Sequence, residues 1–167
     1  MNRSVESRRP QRAAVLTFAL AACVLYTPSA AGAQSKTTAA KEQLPDGKSV
    51  YATTCAACHQ ATGEGVAGVF PPLAGSEWAT GEEAKVVRIL LHGVTGPIEV
   101  AGETFNGMMP PWGATMKDAD IAAVLTYVRS TWGNKGTPIT AATVAKIRAA
   151  TASRTTPWTA AELAAVK

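Results

Sequence analysis

Cys55, Ala56, Ala57, Cys58 and His59 follow one another in the chain, two thiols three positions apart with an imidazole directly after the second. On a helix, positions three apart share a face, so both sulfurs can engage one flat partner while the imidazole lies beside it. Three chemistries use such a set: a redox dithiol, half of a zinc site, and covalent attachment of a c-type haem. In the last, each thiol forms a thioether with a haem vinyl group and the histidine becomes the proximal iron ligand. A structural zinc needs four closed nitrogen or sulfur ligands, and beyond these residues the chain offers only Cys23 and His92. A thioredoxin-type dithiol is expected beside a βαβ pattern, which the sequence lacks. The spacing favours one haem c, held through Cys55 and Cys58, with His59 on the iron.

Such a centre needs helices and rigid loops to hold it. Asp46 can cap a helix over residues 47–57, whose stripe of Val50 and Tyr51 leads to the two cysteines. Residues 60–75 are rich in glycine and include Pro71 and Pro72, so they read as loop. A second helix spans 82–91 and stops at Gly93, and a small hairpin turns at Ala101 and Gly102 between 98–100 and 104–105. Residues 106–113, with Met108, Met109, Pro110 and Pro111, read as a rigid loop. The clearest helix is 118–132, with Ile121, Val124, Leu125 and Val128 on one stripe. Two tail helices follow at 140–150 and 159–166, the second opened by a capping box of Thr159 and Glu162.

The first 33 of the 167 residues have the grammar of an export signal: four arginines, an apolar stretch over 13–26, and Ala31, Gly32 and Ala33 as a small-residue cleavage site. Leu20, Ala21, Ala22 and Cys23 also resemble a lipobox, so lipidation at Cys23 is the alternative to cleavage after Ala33. The formal charge of +4 arises mostly there, because without Arg3, Arg8, Arg9, Arg12 and Glu6 the balance is 12 basic to 11 acidic residues. Nothing remains of the clustered basic face that nucleic-acid binding requires. The chain divides into a signal peptide at 1–33, a flexible leader at 34–45, a domain at 46–136 and a helical extension at 137–167. The remainder after cleavage suffices for one domain with a modest core.

The cysteine and histidine run, the Pro71, Pro72, Leu73 loop, Met109 with Pro110, and the helix of residues 121–128 together resemble a class I c-type cytochrome with a single haem. The resemblance covers most of residues 46–133. The stretches 69–75, 106–110 and 126–134 resemble more narrowly the cytochrome domains and subunits of bacterial periplasmic dehydrogenases and nitrite reductases. The resemblance implies an all-α cytochrome c fold around one covalent haem, with the hairpin as an excursion and the tail as a C-terminal helical extension. It implies a methionine thioether as second iron ligand, for which Met109 matches best and Met108 is the rival. It also implies that the Pro71 carbonyl receives His59 Nδ1–H and that Leu73 walls the haem. Gly47 and Tyr51 should meet Val124 and Tyr127 where the first and last long helices cross, while Trp78, Asn106 and Trp112 are candidate donors to the haem propionates. His92 is expected to be a surface residue at a helix end, with a bis-histidine site as its alternative. Lys117 stands where related helices often begin with Ser or Thr, which would move the cap to Asp118. The tail either wraps the core or docks a partner through Trp158.

A thioether favours ferrous iron, so a His/Met site has a raised potential and cycles with little rearrangement. The expected function is therefore periplasmic electron transfer, not catalysis, between a donor dehydrogenase or cytochrome complex and a terminal oxidase or reductase. The alternatives are a dedicated cytochrome subunit of a periplasmic dehydrogenase, and an open-site haem enzyme or gas sensor. The membrane enters only through a lipidated Cys23 or a complex.

Overall fold

A computed structural model describes residues 43–166. The signal segment, Cys23 and most of the leader lie outside the described residues. Helix α1 (Gly47–Thr54) starts at Asp46, whose carboxylate accepts the Lys48 and Ser49 amides at 3.2 and 3.3 Å. The expected helix over 47–57 is broken at Cys55 (φ −108°) and resumes as α2 (Ala56–His59). The chain doubles back, the Gly65 amide takes the His59 carbonyl at 3.0 Å, and Gln60 is held at φ 59° with the Tyr51 hydroxyl donating to its carbonyl at 2.6 Å.

Residues 60–75 fold around Gly63, whose carbonyl accepts from the Leu73 and Ala74 amides at 2.7 and 2.9 Å. A short helix α3 (Glu77–Thr80), capped by the Ser76 hydroxyl, was not evident from periodicity because it spans a single turn. Helix α4 (Glu83–His92) buries Val86, Val87, Ile89, Leu90 and Leu91.

Strands β1 (Val94–Val100) and β2 (Glu103–Met109) pair antiparallel, with Val94 opposite Met109 and Ile98 opposite Phe105. Ala101 and Gly102, at φ 52° and 81°, make the turn between them. The hairpin is longer than expected, and residues 106–109 are strand where a rigid loop was expected. Gly96, Pro97, Asn106 and Gly107 look like strand breakers one by one, yet they sit opposite each other and are zipped by the pairs on either side.

Helix α5 (Asp118–Ser130) buries its stripe of Ile121, Val124, Leu125 and Val128. Its cap stays at Lys117 and does not move to Asp118. Lys117 lacks a capping side-chain oxygen, but its amide donates back to Asp120 at 3.3 Å. α1 crosses α5 at Gly47, where a β-carbon would collide with the Ala123 carbonyl. The Tyr51 and Tyr127 rings meet there at 5.6 Å, and Trp132 joins them at 5.0 and 5.5 Å. Arg129, 2 % exposed, donates to the Ala79, Gly81 and Thr137 carbonyls. A buried cation is tolerated because backbone dipoles surround it.

The tail lies on this core. Helix α6 (Ala141–Ala150) packs on α5 and α4 through Val144 and Ile147, and α7 (Ala160–Ala164) packs on β1 with Leu163 buried. Trp158 bonds to the start of β1: its carbonyl accepts from the Thr95 amide at 2.8 Å and its amide donates to the Gly93 carbonyl at 3.0 Å.

Candidate haem site

A mostly apolar cavity of about 390 Å³ opens between α2, the 68–73 loop, α4, the hairpin and α5. Cys55, Cys58 and His59 lie on one part of its wall, and Leu73, Met108 and Met109 also line it. Both thiols are free and half-buried. His59 is buried, and its Nδ1 lies 2.9 Å from the Pro71 carbonyl oxygen. A carbonyl can only accept, so Nδ1 carries the proton and donates, which leaves the lone pair of the neutral ring on Nε2. Burial pushes the His59 pKa down, only partly offset by the Pro71 bond, so the neutral ring is favoured. The result is an oriented imidazole with an available ligand nitrogen.

The two methionines stand differently. Phe105, Gly107 and Met109 alternate onto one face of β2, and Phe105 on that face is 2 % exposed. Met109 is accordingly half-buried against the core, whereas Met108 is 65 % exposed. Gly93 permits this placement, since a β-carbon there would strike the Met109 carbonyl.

A family model for cytochrome c matches residues 44–132. The chain belongs to the cytochrome c family. It is 44 % identical over 111 residues to cytochrome c-552 of Thermus thermophilus, a match covering 61 % of this chain and 83 % of the relative. It is also 38 % identical over 105 residues to the cytochrome c subunit of a quinone alcohol dehydrogenase from Gluconacetobacter polyoxogenes, covering 60 % of this chain and 22 % of that subunit. A third relative is the cbb3-type cytochrome c oxidase subunit CcoP of Azospirillum, 34 % identical over 100 residues, with 56 % of this chain and 30 % of the subunit covered.

As a cytochrome c, the protein is an electron carrier that binds haem c covalently through Cys55 and Cys58. The residues present fit that group, with two free thiols, an oriented imidazole nitrogen and apolar walls all facing one cavity. Thioether formation adds the sulfur and hydrogen of a thiol across a vinyl double bond, so it consumes no oxidant. Cys55 retains its proton in the folded arrangement, its pKa pushed up to about 11 by burial and secondarily by Cys58. For the competing zinc reading, no group of three or more His, Cys, Asp and Glu among the described residues is placed so that it could hold a metal ion by itself.

Other expected residues are distributed unevenly. Asn106 and Trp112 line the cavity. Trp78 lines it too, but its indole N–H already donates to the Glu99 carbonyl at 2.8 Å, so it is not a free donor toward a propionate. His92 lies away from this wall. Contrary to a surface placement it is half-buried, bonded through Nε2 to the Thr151 hydroxyl at 2.7 Å and edge-on to Trp158. No helix among the described residues is long and apolar enough to cross a membrane.

Asn134 was missed as a supporting residue. Only 7 % exposed, it donates to the Leu73 and Val128 carbonyls at 2.9 and 2.8 Å and accepts from the Gly75 amide at 2.8 Å. It thereby ties the Pro71 and Leu73 loop, and with it the His59 contact, to the end of α5. A polar residue just after a helix reads as an ordinary cap, and nothing in its neighbours announces this role.

Proposed function

We propose that this cytochrome is a periplasmic one-electron carrier whose haem iron is ligated by His59 and Met109. The observation that carries the reading is the shared cavity: His59 presents Nε2 to it because Nδ1 is committed to Pro71, and strand alternation turns Met109, not Met108, toward the core. The bound haem supplies the redox couple. The protein's residues fix ligand geometry in both oxidation states, exclude water with apolar walls and keep the imidazole neutral. Pro71 holds the ring, Leu73 walls the cavity, and Asn106 and Trp112 are the remaining candidates to meet the propionates. A thioether facing a buried imidazole favours a raised potential and a closed coordination sphere, which leaves neither a substrate position nor a gas-sensing one.

The basic head, apolar stretch and small-residue site within 1–33 support export and cleavage after Ala33, with residues 46–136 as the haem domain and 137–167 as its extension. The electron passes between a donor dehydrogenase or cytochrome complex and a terminal oxidase or reductase. A second arrangement, a dedicated subunit of a dehydrogenase, is favoured by the similarity to a dehydrogenase cytochrome subunit. Copurification with a dehydrogenase at fixed ratio selects it over a free carrier.

The ligand assignment is tested by Met109→Ala and Met108→Ala in the holoprotein. Met109→Ala should abolish the sulfur-to-iron absorption of the ferric form, lower the potential and admit carbon monoxide to the ferrous form. Met108→Ala should leave all three unchanged. The reverse pattern removes Met109 from the iron.

A further inference from the structure

The tail reaches the methionine side of the haem cavity at two places. After Met109 the chain runs through Pro110 and Pro111 into residues 112–116, whose backbone is bonded from two directions. The Trp112 and Gly113 amides donate to the Leu90 and Leu91 carbonyls at the end of α4, at 2.9 and 3.1 Å. The Gly113 and Met116 carbonyls accept from Arg148 of α6, the latter at 3.0 Å, while Arg148 Nε donates to Asp118 at 2.7 Å. One guanidinium thus spans the segment from Gly113 to the first residue of α5. Its fork fits that span, and an ammonium, a point donor, does not. On the other side, Trp158 bonds to Gly93 and Thr95, flanking the residue paired with Met109. Arg154 lies 3.5 Å from the Trp158 ring centroid and holds Glu162 at 2.9 Å, which keeps the indole in place.

We infer that the C-terminal extension is a clamp on the methionine ligand, with Arg148 as its principal positioning residue and Trp158 as its second anchor. The inference rests on Met109 being the iron ligand. Arg148 does not line the cavity and makes no bond to Met109. It acts by denying the 112–116 segment the backbone freedom needed to swing the sulfur away. A peptide segment whose amides and carbonyls are both occupied opens only by breaking those bonds. If Arg148 merely fastened the tail, its loss would lower global stability without changing how often the sulfur leaves.

The experiment compares ferric holoprotein variants for the rate of imidazole binding, which requires methionine departure, and for reduction potential. The control is Val87→Ala, a fully buried core truncation outside the cavity wall, compared at matched loss of global stability. Arg148→Ala loses three guanidinium bonds and should bind imidazole at least about tenfold faster, the scale of a single charge-assisted hydrogen bond, and its potential should fall because ferric iron releases a thioether more readily. Arg148→Lys should bind imidazole at an intermediate rate, and Val87→Ala should stay within about twofold of wild type. An Arg148→Ala rate no faster than that of Val87→Ala overturns the clamp. If Arg148→Ala yields no holoprotein, a wild-type rate in Arg148→Lys overturns it instead. Met109→Ala separates the two claims: retained sulfur ligation there defeats the ligand assignment itself, whereas its loss together with an indifferent Arg148→Ala defeats only the clamp.

Discussion

Asn134 shows how a single side chain can serve a site it never enters. Replacing it with alanine leaves the buried Val128 carbonyl without its donor, leaves the Leu73 carbonyl only the long Ser76 amide contact at 3.4 Å, and frees the exposed Gly75 amide to water. The expected cost is about 1–3 kcal/mol of unfolding free energy in denaturant titration, the range for one buried group left unpaired. A loss below about 0.5 kcal/mol would place Asn134 among ordinary surface caps. His92 yields a pH prediction. Burial, reinforced by the Arg154, Arg148 and Arg88 charges, lowers its pKa below 6.5. The folded state therefore binds fewer protons there than the unfolded state, and stability present above pH 6.5 drains away as the pH falls through the depressed value. His92→Gln keeps a polar partner for Thr151 and should flatten that acid slope in thermal melts between pH 7 and pH 5. The cysteine and histidine run was legible because its chemistry is local. Asn134 was not, because its partners at Gly75 and Leu73 lie 59 and 61 residues away.

Among the elements, those with strong apolar periodicity were readable to within a residue or two. α4 and α5 each bury a continuous stripe, and a pattern of that length leaves little freedom. The hairpin was read too short because its glycines, proline and asparagine are judged singly by propensity, whereas the ladder is held cooperatively. The α1 break at Cys55 had no local signal either, since Ala56 and Ala57 favour helix and helix-type bonds run on through it to His59. The α1 and α5 crossing offers a sign test. By helix propensity, Gly47→Ala should gain up to about 1 kcal/mol. The collision with the Ala123 carbonyl reverses this, and a net loss of about 1–3 kcal/mol is expected from overpacking against backbone. A stabilised Gly47→Ala in thermal or chemical unfolding would mean that the helices are not in close contact there.

For the molecule as a whole, the cavity volume decides how far the fold depends on its cofactor. An apolar cavity of about 390 Å³, open on one side, leaves residues of α4, the hairpin and α5 without packing partners until haem fills it. The chain without haem should therefore lack a cooperative thermal transition and a structured near-ultraviolet circular dichroism signal, while Cys55→Ser with Cys58→Ser should accumulate in that state. Cooperative melting of the haem-free chain would refute this dependence on haem. Charge matters less. With 12 basic and 11 acidic residues outside 1–33, long-range steering is weak. Electron-transfer rates with a partner should accordingly change little between low and physiological ionic strength in stopped-flow measurements.

The cavity also fixes an order of assembly. Residues 54–59 precede every other part of its wall, which runs from Gly68 to Val128. A chain emerging from its amino end thus offers its thiols to solvent before any surface exists to hide them, whereas burial in the folded chain without haem pushes the Cys55 thiol up. Along the chain the attachment residues come first, the rest of the wall second and the tail that packs on the methionine side last, an order that suits attachment before enclosure.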